Sequence, residues 1–146
     1  TFVSQNRGAK EYERARKGAH FGLVCSVSLA ETIGVLIALF ATPLMRLFVD
    51  DPQVIQYGVE RAHYATILFF LLAYSHGVSA VLRGVGKSVV PMFVMLVCWC
   101  LVRVTLLTML NMLFHNILFV YLIYPFTWSL SSIVFFLYYR KINWQE

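Results

Sequence analysis

Residues 117–139 read ILFVYLIYPFTWSLSSIVFFLYY, twenty-three consecutive positions without a charged side chain. A bilayer core about 30 Å thick needs about 20 helical residues, so this stretch is long enough to cross one. Three further apolar runs of that length precede it: Phe21 to Val49, Ala62 to Leu82 and Val89 to Leu110. We name the four runs spans A, B, C and D in chain order, with D at 117–139. Lipid offers no partner for an open sheet edge, and the runs are too long for barrel strands. The expected fold class is therefore all-α: a membrane protein of four transmembrane helices, after a short cytoplasmic connector at residues 1–20.

The bulk composition agrees. Hydrophobic residues make up 60% of the 146 residues and charged residues 13%, against about 45–50% and about 25% in a soluble domain. The net charge of +5 gathers at the ends of the runs, which points to membrane topology and away from a nucleic-acid partner. Arg7, Lys10, Arg14, Arg16 and Lys17 precede span A, Arg83 and Lys87 sit between B and C, and Arg140 and Lys141 follow D. The opposite side carries only Arg46 and Arg61, beside Asp50, Asp51 and Glu60. The positive-inside rule then places the N-terminal segment, the B–C turn and the C-terminus in the cytoplasm of a multi-pass cell-membrane protein. Cys25, Cys98 and Cys100 lie inside spans and read as small buried hydrophobes, with no disulfide framework. No metal site and no cofactor are expected.

Several residues inside the runs need a reason to be there. Glu31 is the acid of span A, and Ser28, Gly34, Ala38 and Thr42 lie within about 60° of it on a helical wheel. Such a small, polar stripe faces protein or a water cavity. Glu31 can bind a cation or relay a proton, or instead neutralise a buried base or stay protonated. Pro43 is expected to kink A near its outer end. Asp50-Asp51-Pro52 is a helix start, with a short outer segment, Gln53 to Arg61, running into B. Span B places Ser75, His76, Ser79 and Arg83 on one face. His76 can titrate near neutral pH and serve proton coupling, or be a neutral structural histidine. In span C, Arg103 stands about one turn after Trp99, within reach of a cation–π contact. It is either a structural anchor or a substrate ligand. In span D, Pro125 interrupts the outer half, and Tyr124, Thr127 and Ser131 share a face. Tyr74, Tyr124, Trp99 and Trp128 either line a cargo wall or pack.

The turn Leu82-Arg-Gly-Val-Gly-Lys-Ser88 has two glycines but no preceding strand, so a dinucleotide site is rejected. Arg83, Gly84, Gly86 and Pro91 read instead as a tight structural hairpin, with Pro91 in the first turn of C. Catalysis is not expected: His63 and His76 are far apart, and no nucleophile–base pair or ligand cluster is present. Thr1 to Gly8 reads as the end of an earlier helix stopping at a glycine cap, so the chain is expected to be a fragment.

Three of these stretches resemble one family. Thr1-Phe-Val-Ser-Gln-Asn-Arg-Gly-Ala-Lys-Glu-Tyr-Glu-Arg-Ala-Arg-Lys-Gly18 resembles the segment closing the eighth helix of the multidrug and toxic compound extrusion (MATE) transporters. Leu47-Phe-Val-Asp-Asp-Pro-Gln-Val-Ile55 resembles their outer loop after the ninth helix, and Leu82-Arg-Gly-Val-Gly-Lys-Ser-Val-Val-Pro91 their turn from tenth to eleventh. The likeness covers essentially the whole chain. It implies that residues 1–146 are part of the C-terminal lobe of a two-lobe, twelve-helix transporter, with spans A to D as helices nine to twelve. It further implies a secondary active multidrug exporter: antiport of amphipathic or cationic small molecules against Na+ or H+ by alternating access, completed by the missing N-terminal lobe and preceding helices. Substrate and cation pathway candidates are then Glu31, His76, Arg103, Tyr74 and Ser79. Some members place a carboxylate in the tenth helix, where span B has none, and Lys87 stands where the family often has an acid. The alternatives are a lipid-linked oligosaccharide flippase of the same superfamily, which Arg103 favours, and a non-transporting membrane assembly subunit.

Overall fold

A computed structural model describes residues 1–114 and 117–144. Among these no strand occurs. The helices follow as α1 Phe2–Gly8, α2 Tyr12–Leu39, α3 Ala41–Arg46, α4 Pro52–Thr66, α5 Phe69–Gly84, α6 Val89–Met95, a π-helical segment Leu96–Val102, α7 Arg103–Phe114 and α8 Ile117–Arg140. Three stretches are long and apolar enough to cross a membrane: Tyr12–Leu39, Val89–Leu113 and Ile117–Arg140. The pair α4 and α5, bent by 56°, makes a fourth when the two are counted as one broken span. The chain is thus an all-α, multi-pass membrane protein.

The four runs reappear with shifted limits. Residues 1–20 hold α1 and the start of α2, which begins at Tyr12 and carries the polar segment straight into span A. Span A ends early, at Leu39, and Phe40 leaves helical geometry with φ −103° and ψ 17°. Pro43 explains the place: it has no N–H for the Leu39 carbonyl, and its ring crowds that carbonyl. Span B is broken within its length at Ile67 and Leu68. Span C continues to Phe114 through the π-helical segment. Residues 115 and 116, between C and D, lie outside the described residues. Of the three cysteines only Cys98 is buried; Cys25 and Cys100 are exposed on the apolar outer surface.

Local chemistry accounts for the ends. The Asp51 carboxylate accepts from the Gln53 and Val54 amides at 2.8 and 3.4 Å, and Pro52 takes the first helical position of α4. These contacts satisfy amides that have no partner inside the helix. At the far end of α5, Lys87 N–H donates to the Leu82 carbonyl at 2.9 Å and Gly86 N–H to the Arg83 carbonyl at 3.1 Å. Gly86 sits at φ 83°, the left-handed position that this cap requires. The expected hairpin is present, with Pro91 in the first turn of α6. The α1 end differs from expectation. Lys10, at φ 61°, takes the left-handed position rather than Gly8.

Helix α5 is central. It packs against α2 and α8, while α6, the π segment and α7 lean on α8, with α6 touching α5 as well. One end of the bundle, where α2 starts and α5 and α8 finish, holds a cluster of Val3, Leu23, Val78, Leu82, Val85, Phe135 and Ile142. Most of the basic residues ring this end, called the basic end below. Leu29, Leu101, Met112 and Leu113 are 61–73% exposed, as expected of surface that meets acyl chains instead of water.

Candidate functional site

Two polar regions lie inside the apolar bundle. The first is the seam between α5 and α8. Ser75 Oγ lies 3.0 Å from Ser131 Oγ and 2.9 Å from Ser132 Oγ. Ser132 Oγ also donates to the Leu71 carbonyl at 2.9 Å, and Trp99 Nε1 donates to Ser131 Oγ at 3.2 Å. All three serines are buried. Small hydroxyl residues let the two backbones approach, and they satisfy each other where no water is available. Ser75→Ala is expected to cost about 0.6 to 1.7 kcal/mol, read as a lower thermal midpoint of unfolding in detergent. An unchanged midpoint would mean the seam is held by packing alone.

Arg103 extends this seam. Its Nε and Nη2 donate to Thr127 Oγ1 at 3.2 and 2.8 Å. Its guanidinium lies 5.2 Å from the Trp99 ring and 4.7 Å from the Tyr124 ring, so the expected cation–π contact is present. Arg61 approaches the same Tyr124 ring at 5.0 Å, a convergence that the spacing of the sequence did not reveal. Glu31 does not partner Arg103. Among the described residues the ion pair is Lys17 with Glu13, at 3.5 Å on the surface.

The other predicted positions separate. His76 is exposed and meets Trp99 edge-on at 5.0 Å. Ser75 and Ser79 point into the bundle, so the face drawn through all four polar residues of span B divides. Ser79 is fully buried, and its hydroxyl has no hydrogen-bond partner among the described residues. Tyr74 is half-buried, against the basic-end cluster. Arg83 is exposed at the end of α5, and Gly84 packs on Val3.

The second polar region is the corner between α4 and α5, and Glu31 belongs to it. In an unbroken helix the Phe70 N–H would donate to the Thr66 carbonyl. It donates instead to Glu31 Oε2 at 3.0 Å. Leu68 and Leu71 tighten the corner with three-residue bonds to Ala65 and Leu68, at 3.2 and 3.1 Å. The Thr66 carbonyl turns toward α2, where a β-carbon at position 34 would lie 2.9 Å from it; Gly34 leaves that space empty. Glu31 and Gly34 are one turn apart on α2, so one helix face provides both the carboxylate and the room for the carbonyl. The carboxylate also stands at the electropositive start of α5. An open cleft of about 650 Å³ beside it is lined by Val27, Ser28, Glu31, Thr32, Ile67 and Phe70. A carboxylate and a freed carbonyl in an apolar surround are hard oxygen donors, suited to a proton or an alkali cation. Sequence reasoning identified Glu31 and Gly34 but missed their partners, Thr66 and Phe70.

The MatE family matches residues 1–109. A protein of Thermotoga maritima described as "Probable multidrug resistance protein NorM" is 30% identical over 94 residues, covering 64% of this chain and 20% of that protein. The chain spans about a fifth of the length of the curated relative it matches.

Proposed function

The chain belongs to the MatE family, and we propose that it forms part of the C-terminal lobe of a secondary active exporter. The cargo class is amphipathic, often cationic compounds, and the driving force is Na+ or H+ entry by alternating access. The similar Thermotoga protein, described as a multidrug resistance protein, supports that cargo class. The basic end faces the cytoplasm of the cell membrane, in keeping with the bias of Lys and Arg to that side. The reading is of a transporter and not an enzyme.

One observation carries the coupling step: a membrane helix interrupted at Ile67 and Leu68, with the Glu31 carboxylate holding the Phe70 amide. Secondary transporters build ion sites from discontinuous helices, where freed carbonyls and half-helix ends meet the ion. A cation drives export only if it binds one facing state more tightly than the other. A corner held by a carboxylate is an element on which such a preference can act. His76, exposed and set against Trp99, enters this reading only as part of the wall around that ring.

The flippase reading retains one observation in its favour, the two guanidinium groups converging on Tyr124, which suit an anionic head. The full-length protein in sealed vesicles separates the two. Export of a fluorescent cationic dye should scale with an imposed Na+ or H+ gradient. Movement of a lipid-linked sugar with no gradient-driven dye export would replace the exporter reading.

A further inference from the structure

Clefts set end to end between α2 and α8 outline a groove, read as continuous because Val24 and Tyr139 of one stand one helical turn from Val27 and Phe136 of the next. At the basic end it is a cleft of about 560 Å³ whose walls include Arg16, Lys17, His20, Val24 and Tyr139. Arg16 and Tyr139 also border an adjoining hollow of about 360 Å³ that contains Arg140 and Trp144. One helical turn further on, at Val27 and Phe136, the groove becomes a cleft of about 480 Å³ that presents only apolar atoms. It reaches Phe70, beside Glu31.

Charge and length together describe an occupant. Among the described residues that line these hollows, Arg16, Lys17, His20 and Arg140 stand at one end against one acid, Glu13, which is already paired with Lys17. Arg140 lies back along α8 with its guanidinium 5.7 Å from the Phe136 ring, over the groove wall. A cationic cargo would be repelled there, whereas a phosphate would be held. From His20 to Glu31 the rise along α2 is about 16 Å at about 1.5 Å per residue. That is roughly half of a core about 30 Å thick, the depth of one leaflet. A basic mouth at headgroup level, opening on a carbon-lined channel one leaflet deep, matches the shape of a phospholipid.

We propose that this groove seats one anionic phospholipid. Its phosphate lies among Arg16, His20 and Arg140, and one acyl chain lies along Val24, Val27 and Phe136. The proposal takes from the exporter reading only that the basic end meets the inner leaflet.

The test uses the full-length protein in vesicles of phosphatidylcholine mixed with phosphatidylglycerol. A photo-reactive benzoylphenylalanine replaces Val27 in one sample. In another it replaces Met112, which is 73% exposed on α7 and reports the surrounding lipid. The ratio of phosphatidylglycerol to phosphatidylcholine adducts is expected to be higher at position 27 than at 112. Each arginine near the surface is worth about fivefold in affinity for an anionic lipid, so the excess should exceed about tenfold. Arg16→Gln with Arg140→Gln should bring the ratio at position 27 down to that at 112. Val24→Trp, which fills the groove and leaves its charges, should do the same. Equal ratios at 27 and 112 would overturn the proposal. So would a ratio indifferent to the arginines and to Val24→Trp, or adducts of position 27 with another stretch of protein in place of lipid. Because the readout is lipid capture, a protein that exports nothing yet selects phosphatidylglycerol defeats the exporter reading and leaves this inference standing.

Discussion

Glu31→Gln is expected to remove the dependence of dye export on the imposed cation gradient while leaving the fold in place. The amide oxygen of Gln accepts a hydrogen bond as the carboxylate does, so the Phe70 amide keeps its partner. The helix break therefore survives, and only the charge is lost. Coupling between two ligands typically amounts to about 1–3 kcal/mol, or about 5- to 150-fold. The gradient-dependent part of export should accordingly fall by about tenfold or more. Glu31→Asp makes the complementary change. It keeps the charge but is one methylene shorter and loses its reach to Phe70, so it should retain part of the coupling and loosen the corner. Export by Glu31→Gln that still follows the gradient would reduce Glu31 to a structural cap and move the coupling group elsewhere.

The spans were legible because length and apolarity are properties of the sequence itself; residues 117–139 need no partner to be recognised. The cap at Asp51, the turn at Gly86 and the disturbance ahead of Pro43 were legible for a similar reason, since each is a local rule of backbone chemistry. The break at Ile67 and Leu68 was not. Thr66-Ile-Leu-Phe69 holds neither proline nor glycine, and nothing in it forbids a continuous helix. Its cause lies on another helix, well back in the chain, where Glu31 competes for the amide of Phe70, 39 residues on, and Gly34 admits the Thr66 carbonyl. The π-helical segment was hidden in the same way. It precedes Arg103, and Trp99 within it reaches Ser131 while Arg103 reaches Thr127. Both partners lie on α8, out of sight of any local pattern. Residue types signalled where chemistry is expensive, as at Glu31 and Arg103, but their partners required the tertiary arrangement.

The two polar regions differ mechanically. At the α5–α8 seam three buried hydroxyls and an indole satisfy one another, so moving the two helices apart would strand several polar atoms at once. At the corner a single carboxylate replaces a single backbone bond, with an open cleft beside it. The seam favours α5 and α8 moving as one unit. On the exporter reading proposed above, the corner is where α4 changes its angle to them, the division of labour that rocking between two facing states requires.

Gly34→Ala tests that division directly. Alanine is a better helix former than glycine by about 1 kcal/mol, so propensity alone predicts a gain in stability for α2. The contact predicts the reverse. The new methyl would lie 2.9 Å from the Thr66 carbonyl oxygen and 3.2 Å from the Phe69 ring, and a backbone atom cannot rotate out of the way as a flexible side chain can. Overpacking of this kind costs about 1–3 kcal/mol. A net fall in the thermal midpoint of the full-length protein is therefore expected, and with it a loss of gradient-driven export, because α2 must draw back from the corner and take the Glu31 carboxylate away from Phe70. The two readouts should fail together. A midpoint equal to or above that of the parent, with export intact, would show that the corner does not depend on the close approach of Gly34.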